Sequence, residues 1–452
     1  MQTEELRKAV LKWVDENNDM TCQSKSYGSP RLSSEFCDCS TPFSLDLYNF
    51  CSFGCLYCFA FFTKSTNPGM KHELASVNAD RIIDMFEGKM PENPYYKNFI
   101  QHKKVLHIGG LADNFCNFER KNKVGVKLIE YLLKTGYPTI LSTKGDFLSI
   151  PEYCELFEKY KDTAKMSIQI SIVTINEEKA KQLEVAVVSP KRRLEILKQM
   201  HDWGYWSILR LRPFIIGISD ENLDEFLEAM NTYNIDAIST EFFCLDLRCG
   251  EDAQKRFNFM SELCGFDIVK YYKELSPSTR GTYMRLNRNV KEKYVKKMYE
   301  FCKKNNKHFA CSDPDFKELN MSGSCCGLPD SWNWCRNQWT NLIINAKKKH
   351  DKEGVCYVTI EDLKIEEEEG YKYDKKFISS LISKSTLNSS EASFFTVGNN
   401  MDKRWNNPST QNGIYNYFDG KLKPVRIDKN GFLVYKYVEH PYEKRWKKEG
   451  LL

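Results

Sequence analysis

Three cysteines with close spacing stand after the first apolar run of the chain. Cys51, Cys55 and Cys58 fall within eight residues, directly after a run at 43–50 that predicts a buried strand. Thiolates are the preferred ligands of iron–sulfur clusters. Three thiols on one loop can hold three irons of a cubane and leave the fourth iron open to an external ligand. An open coordination position is what separates a reactive metal site from a structural one.

A zinc site, or three unrelated core cysteines, are the alternatives for this triad. Zinc in a structural site takes four protein ligands, and no histidine or cysteine follows at zinc-finger spacing. Coincidence accounts poorly for three thiols at this spacing after a strand. The pattern therefore favours an iron–sulfur cluster.

The triad resembles the signature of the radical S-adenosylmethionine (SAM) family, with Tyr57 as the aromatic residue before the last cysteine. In that family SAM binds the open iron through its amino and carboxylate groups. One electron from the cluster splits the sulfonium into methionine and a 5′-deoxyadenosyl radical, which abstracts a hydrogen atom from the substrate. The resemblance implies a [4Fe–4S] cluster, SAM near Tyr57, and an electron donor such as flavodoxin or ferredoxin.

Further segments are similar to the spore photoproduct lyase-like branch of that family. IGGLADNFCNFE resembles its second-strand segment, with Asp113 and Glu119 at the acidic positions. LSTKG at 141–145 resembles the third-strand Thr-Lys of that branch. The stretch at 167–197 resembles its fourth-strand Ser with the following Glu and Arg-Leu helix. RPFIIGISDENL at 212–223 resembles its turn after the fifth strand. The resemblance extends over about residues 43–245.

This resemblance implies roles for single residues around the cofactor. Lys144 and Ser171 would contact the methionine carboxylate of SAM, with Asp113 in the same cofactor-binding set. Gly109 and Gly110 would let the backbone approach the amino group, because glycine has no side chain to block it. Each residue also has an alternative. Lys144 could be a solvated lysine at a strand end, and Ser171 a core serine with its hydrogen bonds satisfied. Gly109 and Gly110 could form a tight turn.

The sequence departs from the lyase itself at the hydrogen-donating cysteine. Gly110 stands at the matching position, so thymine-dimer repair by the same hydrogen-return route is not expected. Cys116, three residues after Asp113, is the candidate catalytic hydrogen donor, since βα loops gather at the expected SAM face. A buried structural thiol is the alternative for Cys116.

A second group of four cysteines falls within 25 residues rich in glycine, proline and serine: Cys311, Cys325, Cys326 and Cys335. Such a loop could hold an auxiliary iron–sulfur cluster or a zinc ion. Neighbouring side chains rarely converge on one ion, so the adjacent pair argues against a metal. Thiols packed as small hydrophobes are the alternative. The sequence does not decide whether Cys37 and Cys39 join this group.

Alternating elements must position these residues. Apolar runs bounded by turn residues predict six parallel strands: 43–50, 105–110, 139–145, 166–173, 206–216 and 235–243. Helical patterns lie between them, at 124–136, 190–204 and 220–234. Strand–helix repeats favour an α/β fold. We expect a partial (βα)₆ TIM-type barrel with a helical, Cys-rich C-terminal extension. The expected divisions are an N-terminal extension (1–42), the barrel (43–245), a helical and Cys-rich region (246–360) and a small β-containing region (361–452).

Composition sets wider limits. The 452 residues are 41% hydrophobic and carry a net charge of +5, an ordinary globular balance that permits a nucleic-acid substrate without requiring one. No membrane span or secretory signal is visible, so a cytoplasmic enzyme is expected.

The last fifty residues mix basic and aromatic side chains. They predict either a surface that binds a nucleic-acid strand or a small β-rich subdomain with a solvated basic face. The radical SAM reaction is expected on a nucleic acid or nucleotide, with a peptide or small metabolite as the alternative. A non-catalytic, metal-stabilised nucleic-acid-binding protein is a further alternative.

Overall fold

The computed structural model describes residues 2–25, 28, 30–32, 38–60, 73–90, 99–247, 250–276, 283–332, 339–363, 404–410 and 413–452. The chain divides into two compact units. Unit 1 comprises residues 1–30, 44–90 and 106–308, and unit 2 comprises residues 31–43, 91–105 and 309–452.

Unit 1 is built around parallel strands that lie side by side in chain order. The six strands are β2 (Phe43–Leu45, of which Phe43 belongs to unit 2), β3 (Leu106–Ile108), β4 (Thr139–Thr143), β5 (Met166–Ser171), β6 (Trp206–Phe214) and β7 (Ala237–Phe242). Each strand lies within one of the six predicted apolar runs. The α/β class and the partial barrel predicted from the sequence are thereby confirmed.

Helices connect and flank these strands. They are α1 (Gln2–Asn17), α2 (Ala79–Phe86), α3 (Asn117–Asn122), α4 (Val126–Thr135), α5 (Pro151–Lys159), α6 (Glu177–Leu183), α7 (Pro190–Asp202), α8 (Leu223–Thr232), α9 (Gly250–Cys264), α10 (Ile268–Leu275) and α11 (Arg288–Lys304). A short antiparallel pair, β8 (Leu245–Asp246) and β9 (Tyr283–Met284), lies among the last of them.

Local sequence explains where these helices begin and end. The hydroxyl of Ser189 accepts from the Arg192 amide at 3.2 Å, and Pro190 follows as the first residue of α7, where a missing N–H costs nothing. Gly136 ends α4 in the left-handed conformation that glycine adopts without strain. The helices predicted at 124–136, 190–204 and 220–234 are confirmed to within three residues at each end.

Unit 2 contains β1 (Arg31–Leu32), β10 (His308–Cys311, of which His308 belongs to unit 1), α12 (Trp339–Glu353), β11 (Tyr357–Val358), α13 (Ile414–Tyr417), β12 (Leu422–Ile427), β13 (Leu433–Tyr437) and α14 (Pro441–Lys448). β11, β13 and β12 form a three-stranded antiparallel sheet in that order. β12 and β13 form an antiparallel hairpin. No helix among the described residues is long and apolar enough to span a bilayer.

Candidate metal and cofactor site

The three-cysteine loop follows β2 and is fastened to a segment far away in the sequence. The Leu56 amide donates to the Leu183 carbonyl at 2.8 Å, and the Ala186 amide donates to the Phe53 carbonyl at 3.1 Å. Gly54, at φ +62°, reverses the chain between the first two cysteines. These bonds give the thiol-bearing loop a fixed backbone without help from a ligand.

An arginine outside the predicted motifs completes this support. Arg256 on α9 is 4% exposed, and its guanidinium donates to the carbonyls of Leu56 and Cys58, each at 2.8 Å. Its positive charge also lowers the pKa of Cys58, against the larger effect of burial. Sequence reasoning missed Arg256, because nothing local links it to a loop some two hundred residues earlier.

The thiols themselves are set in a low-dielectric environment. A hydrogen bond with Cys116, and then burial, raise the pKa of Cys51 well above its usual value. Burial does the same for Cys55, although the nearby charge of Lys144 opposes it. Burial also raises the pKa of Cys58. Thiolates at these positions therefore need a positively charged partner, and a metal centre that binds deprotonated thiols provides one.

The spacing of the sulfurs separates the two metal types considered for the triad. Around one tetrahedral zinc, with Zn–S bonds of about 2.3 Å, the sulfurs would be about 3.8 Å apart. The three thiol sulfurs do not form a group within 4.8 Å of one another. A cubane binds each thiolate through a different iron and so accepts wider spacing. The donor set fits a [4Fe–4S] cluster better than a single zinc ion.

Lys144 lies beside this loop, directly after β4. Its ammonium group is 5.7 Å from the centre of the Tyr57 ring. Burial acts against its charge, but the acidic groups of Cys55, Glu184 and Asp113 outweigh burial and raise the pKa of Lys144. A half-buried ammonium in these surroundings is suited to bind a carboxylate.

Asp113 organises the ends of β3 and β4. Its carboxylate accepts from the Thr143 hydroxyl at 2.6 Å, the Lys144 amide at 2.7 Å and the Phe115 amide at 3.0 Å. Burial nevertheless raises its pKa, although Thr143 and Lys144 act to lower it. Asp113 therefore holds the backbone that carries Lys144.

Two other predicted residues lie in a buried network. The Tyr57 hydroxyl donates to Glu184, whose other carboxylate oxygen accepts from Arg193 at 2.5 Å. Arg193 also donates to the Ser171 carbonyl at 2.6 Å. Glu184 and Arg193 are each 1% exposed, so this pair is an internal brace between the cysteine loop and β5.

Gly109 and Gly110 differ in their surroundings. A Cβ on Gly109, which has φ +92°, would lie 2.2 Å from the Ser142 carbonyl oxygen. Packing against β4 alone therefore requires glycine at 109. A Cβ on Gly110 meets nothing within 4 Å, so Gly110 borders open space where a ligand could approach. The predicted role of the pair at the SAM amino group stays a prediction.

Cys116 is the N-cap residue directly before α3 and is fully buried. The following amide, of Asn117, donates to the Ser52 hydroxyl at 3.1 Å, which brings the start of α3 against the cysteine loop. The Cys116 thiol meets that of Cys51. Its predicted role as hydrogen donor stays a prediction, and its position is beside a candidate cluster ligand.

Glu119, the second acidic residue of the same motif, lies in the core instead. It is 0% exposed and accepts hydrogen bonds from the hydroxyls of Tyr48 and Tyr153 and from the amides of Val124 and Gly125. Glu119 therefore joins the segment after β2, the residues before α4, and α5.

The second cysteine group lies in unit 2. Cys311, Cys325 and Cys326 are buried, while Cys335 and Cys37 fall outside the described residues. The Cys326 sulfur is 3.5 Å from the Thr41 hydroxyl, and the Cys311 thiol donates to Asp313 at 3.9 Å. The three described thiols do not form a group within 4.8 Å. A second metal there stays a prediction.

One close group of ligand types does occur among the described residues: His350, Asp351 and Glu439. The Lys447 ammonium bonds to both carboxylates of this group. A lysine thus already supplies the positive charge that a cation would bring.

The aromatic residues of the C-terminal region are mostly internal. Trp405, Tyr435, Tyr437, Tyr442 and Trp446 are at most 1% exposed. These rings are not available to stack on nucleic-acid bases. For this stretch the structure supports the β-rich subdomain rather than a surface that stacks on a nucleic-acid strand.

Comparison with known proteins gives structural matches alone. No family model matches the chain, and no curated protein sequence does so significantly. One solved match is a spore photoproduct lyase mutant with bound S-adenosylmethionine and dinucleoside spore photoproduct (14% identity, 59% of this chain, 74% of that chain, TM-score 0.41). A second spore photoproduct lyase mutant is 13% identical, with 60% of this chain and 76% of that chain covered and a TM-score of 0.44. SuiB from Streptococcus suis, bound to S-adenosylmethionine, is 13% identical, with 60% of this chain and 51% of that chain covered and a TM-score of 0.35. At these identities and TM-scores the chemistry must be argued from the chain's own residues.

Proposed function

We propose that this chain is a radical SAM enzyme that reductively cleaves SAM and uses the 5′-deoxyadenosyl radical to abstract a hydrogen atom from a nucleic acid or nucleotide. One observation carries the proposal. The thiol of Cys55 is buried, those of Cys51 and Cys58 are half-buried, and the three are spaced too widely for one zinc ion. Cys55 and Cys58 lie near the half-buried Lys144, at the carboxyl ends of parallel strands. The carboxyl ends of barrel strands are where active sites form in this architecture.

Cys51, Cys55 and Cys58 would hold the [4Fe–4S] cluster, which supplies the electron and an open iron when bound. Lys144 would bind the methionine carboxylate of SAM by a charge-assisted hydrogen bond. Asp113 would keep Lys144 in place through its bond to the lysine amide. The Tyr57–Glu184–Arg193 brace would hold the cysteine loop against β5 while SAM binds and its products leave.

Burial of the thiols also serves specificity. A radical must reach its substrate before it meets solvent, and a site that excludes water limits side reactions. Cys55 is 6% exposed and Tyr57 is 3% exposed, so these two side chains of the loop are shielded from solvent. The nucleic acid or nucleotide substrate rests on the resemblance of the sequence motifs, and a peptide or small metabolite is the alternative.

The test is anaerobic reconstitution with iron and sulfide, followed by reduction with dithionite in the presence of SAM. We expect cluster absorbance and 5′-deoxyadenosine from the wild-type chain, and neither from Cys55→Ala. Cys302→Ala is the matched control, because Cys302 is also a buried cysteine and lies on α11 in the same unit. Wild-type rates of SAM cleavage in Cys55→Ala would exclude the triad as the cluster site. A wild-type chain that holds iron but yields no 5′-deoxyadenosine would favour the non-catalytic alternative.

A further inference from the structure

The three-stranded antiparallel sheet of unit 2 has one buried face and one exposed face. Successive side chains of a strand point to opposite faces, and Val358 and Tyr437 are buried. The centre of the Tyr437 ring is 5.2 Å from that of His350 on α12, so this helix packs against the buried face. Tyr357 of β11 is exposed and Lys436 of β13 is half-exposed. These two side chains belong to the opposite face, which we call the outer face.

One row of the outer face crosses all three strands of this sheet. Tyr357 is paired with Lys436, and Lys436 is paired with Lys423 of β12. Neighbouring strands lie about 4.8 Å apart, so the three positions span about 10 Å. Tyr357 is 48% exposed, and Lys423 is exposed as well. Neither lysine forms a hydrogen bond or an ion pair with another residue that the structure describes.

The two lysines stand directly opposite each other in the β12–β13 register. Like charges at opposite positions repel each other and destabilise a sheet. Lysines on an edge strand can prevent two sheets from pairing edge to edge, but Lys436 lies on the central strand, where it cannot serve that purpose. Arg426 and Lys429, which are exposed on β12 and in the turn after it, add to the positive charge. A bound anion would remove the repulsion.

Large apolar side chains are concentrated around the same row. Seven of them are exposed among the described residues, and five of these lie in this sheet or directly beside it: Val355, Tyr357, Val425, Ile427 and Val438. Single exposed apolar residues are ordinary, whereas a cluster of them marks a binding surface. The outer face thus combines apolar contact, one aromatic ring and positive charge.

We propose that the outer face binds a single-stranded nucleic acid, with Tyr357 stacked on a base and with Lys423 and Lys436 bound to phosphates. Surfaces that bind single strands combine a cationic track with aromatic rings on which bases stack. The bases of a duplex are stacked on one another, so an exposed ring on a flat face favours a single strand. The ring comes from β11, which precedes the last fifty residues and their mostly internal rings. This inference goes beyond the proposed radical reaction and does not depend on it.

The first test is fluorescence anisotropy of a short labelled oligothymidylate with the full-length chain at low salt. Tyr357→Ala should weaken the Kd about fivefold to a hundredfold, because the stacking of one base on a ring is lost. Tyr357→Phe keeps the ring and should bind within about twofold of the wild type. Cys55→Ala should bind the strand as the wild type does, so a failure of the proposed reaction would leave this result unchanged.

The second test is the salt dependence of the same binding. Each phosphate contact on a single strand contributes about 0.7 to the slope of log K against log salt concentration. Lys423→Gln/Lys436→Gln should therefore make the slope shallower by about 1.4. Removal of the repulsion should also leave the thermal midpoint equal or higher, which checks folding.

The matched control is Lys348→Gln/Lys349→Gln. It removes two exposed lysines from α12, the helix that packs against the buried face. The net charge of the chain changes by the same amount as in the first double variant, and the salt slope should stay at the wild-type value.

Several results would overturn the proposal. Absence of strand binding at low salt, or an unchanged Kd in Tyr357→Ala, would exclude stacking on this face. An unchanged salt slope in Lys423→Gln/Lys436→Gln would place the phosphates elsewhere. A thymidylate–adenylate duplex that binds as tightly as the single strand would show that unstacked bases are not required. Polyglutamate that displaces the strand at equal charge concentration, together with binding that is insensitive to the ring, would make the face a site for an acidic protein.

Discussion

The two cysteine groups stand in contrasting surroundings. In unit 1, Lys144 lies beside Cys55 and Cys58 and has acidic groups around it but remains half-buried at a strand end. In unit 2, Lys317 lies near Cys325 but is 3% exposed and is bonded to Asp38 and to the Thr340 hydroxyl. A cation left accessible beside thiols suits a ligand site, whereas a cation enclosed by its own counterion suits a folded core.

The strongest test of this contrast is at Lys317. Lys317→Met would leave the Asp38 carboxylate buried without its ion-pair partner, and breaking such a pair costs about 3–5 kcal/mol. We expect the free energy of unfolding in urea to fall by that amount, with unchanged SAM affinity of the folded fraction. The double variant Lys317→Met/Asp38→Asn should recover part of the loss. A stability loss below about 1 kcal/mol would show that the pair is not enclosed as described.

A pH measurement at Glu318 sharpens the same view of unit 2. Burial, together with the neighbouring Glu443, raises the pKa of Glu318 from 4.5 to about 7, although Lys421 and Tyr442 oppose the shift. The folded chain then keeps a proton that the unfolded chain releases above about pH 4.5. Unfolding therefore releases a proton between pH 4.5 and 7, and stability falls as the pH rises through that window.

Glu318→Gln should remove this dependence while it keeps a hydrogen-bonding side chain opposite Tyr442. We expect the wild type to lose, relative to the variant, on the order of 1–3 kcal/mol of unfolding free energy between pH 5 and pH 8. Thermal or urea unfolding at the two pH values gives the difference. Parallel pH profiles for the two proteins would mean that Glu318 does not titrate in this range.

The sequence predicted the first site far better than the second region, for physical reasons. Six strands and the residues after them follow from short apolar runs, because strand ends in a parallel sheet meet at one edge. Cys51 and Lys144, 93 positions apart, were assigned to one site by the resemblance of their motifs to the radical SAM family, and each follows a strand of this sheet. Arg256 and the Asp38–Lys317 pair join segments with no common periodicity, so nothing in the sequence brings them together.

Lys144 itself provides the test on the unit 1 side. Lys144→Ala should leave the cluster intact and weaken SAM binding by about 1.5–3 kcal/mol, or roughly tenfold to a hundredfold. Equilibrium binding to the reconstituted protein, with cluster absorbance as the internal control, measures both quantities. An unchanged Kd for SAM would remove Lys144 from the cofactor site and would erase the contrast with Lys317.

The smallest effect is expected where the second group is altered. The thiols of Cys311 and Cys326 each contact a neighbouring oxygen atom. Both residues are buried, and their sulfurs do not form a close group with that of Cys325. We expect about four irons per chain from a single cubane, and the same number in Cys311→Ala/Cys326→Ala. SAM cleavage should also persist, since Cys51, Cys55 and Cys58 are intact. About eight irons in the wild type, halved in the double variant, would instead establish an auxiliary cluster that takes further ligands from elsewhere in the chain. Zinc that is lost in the double variant while the four irons remain would make the second group a structural zinc site.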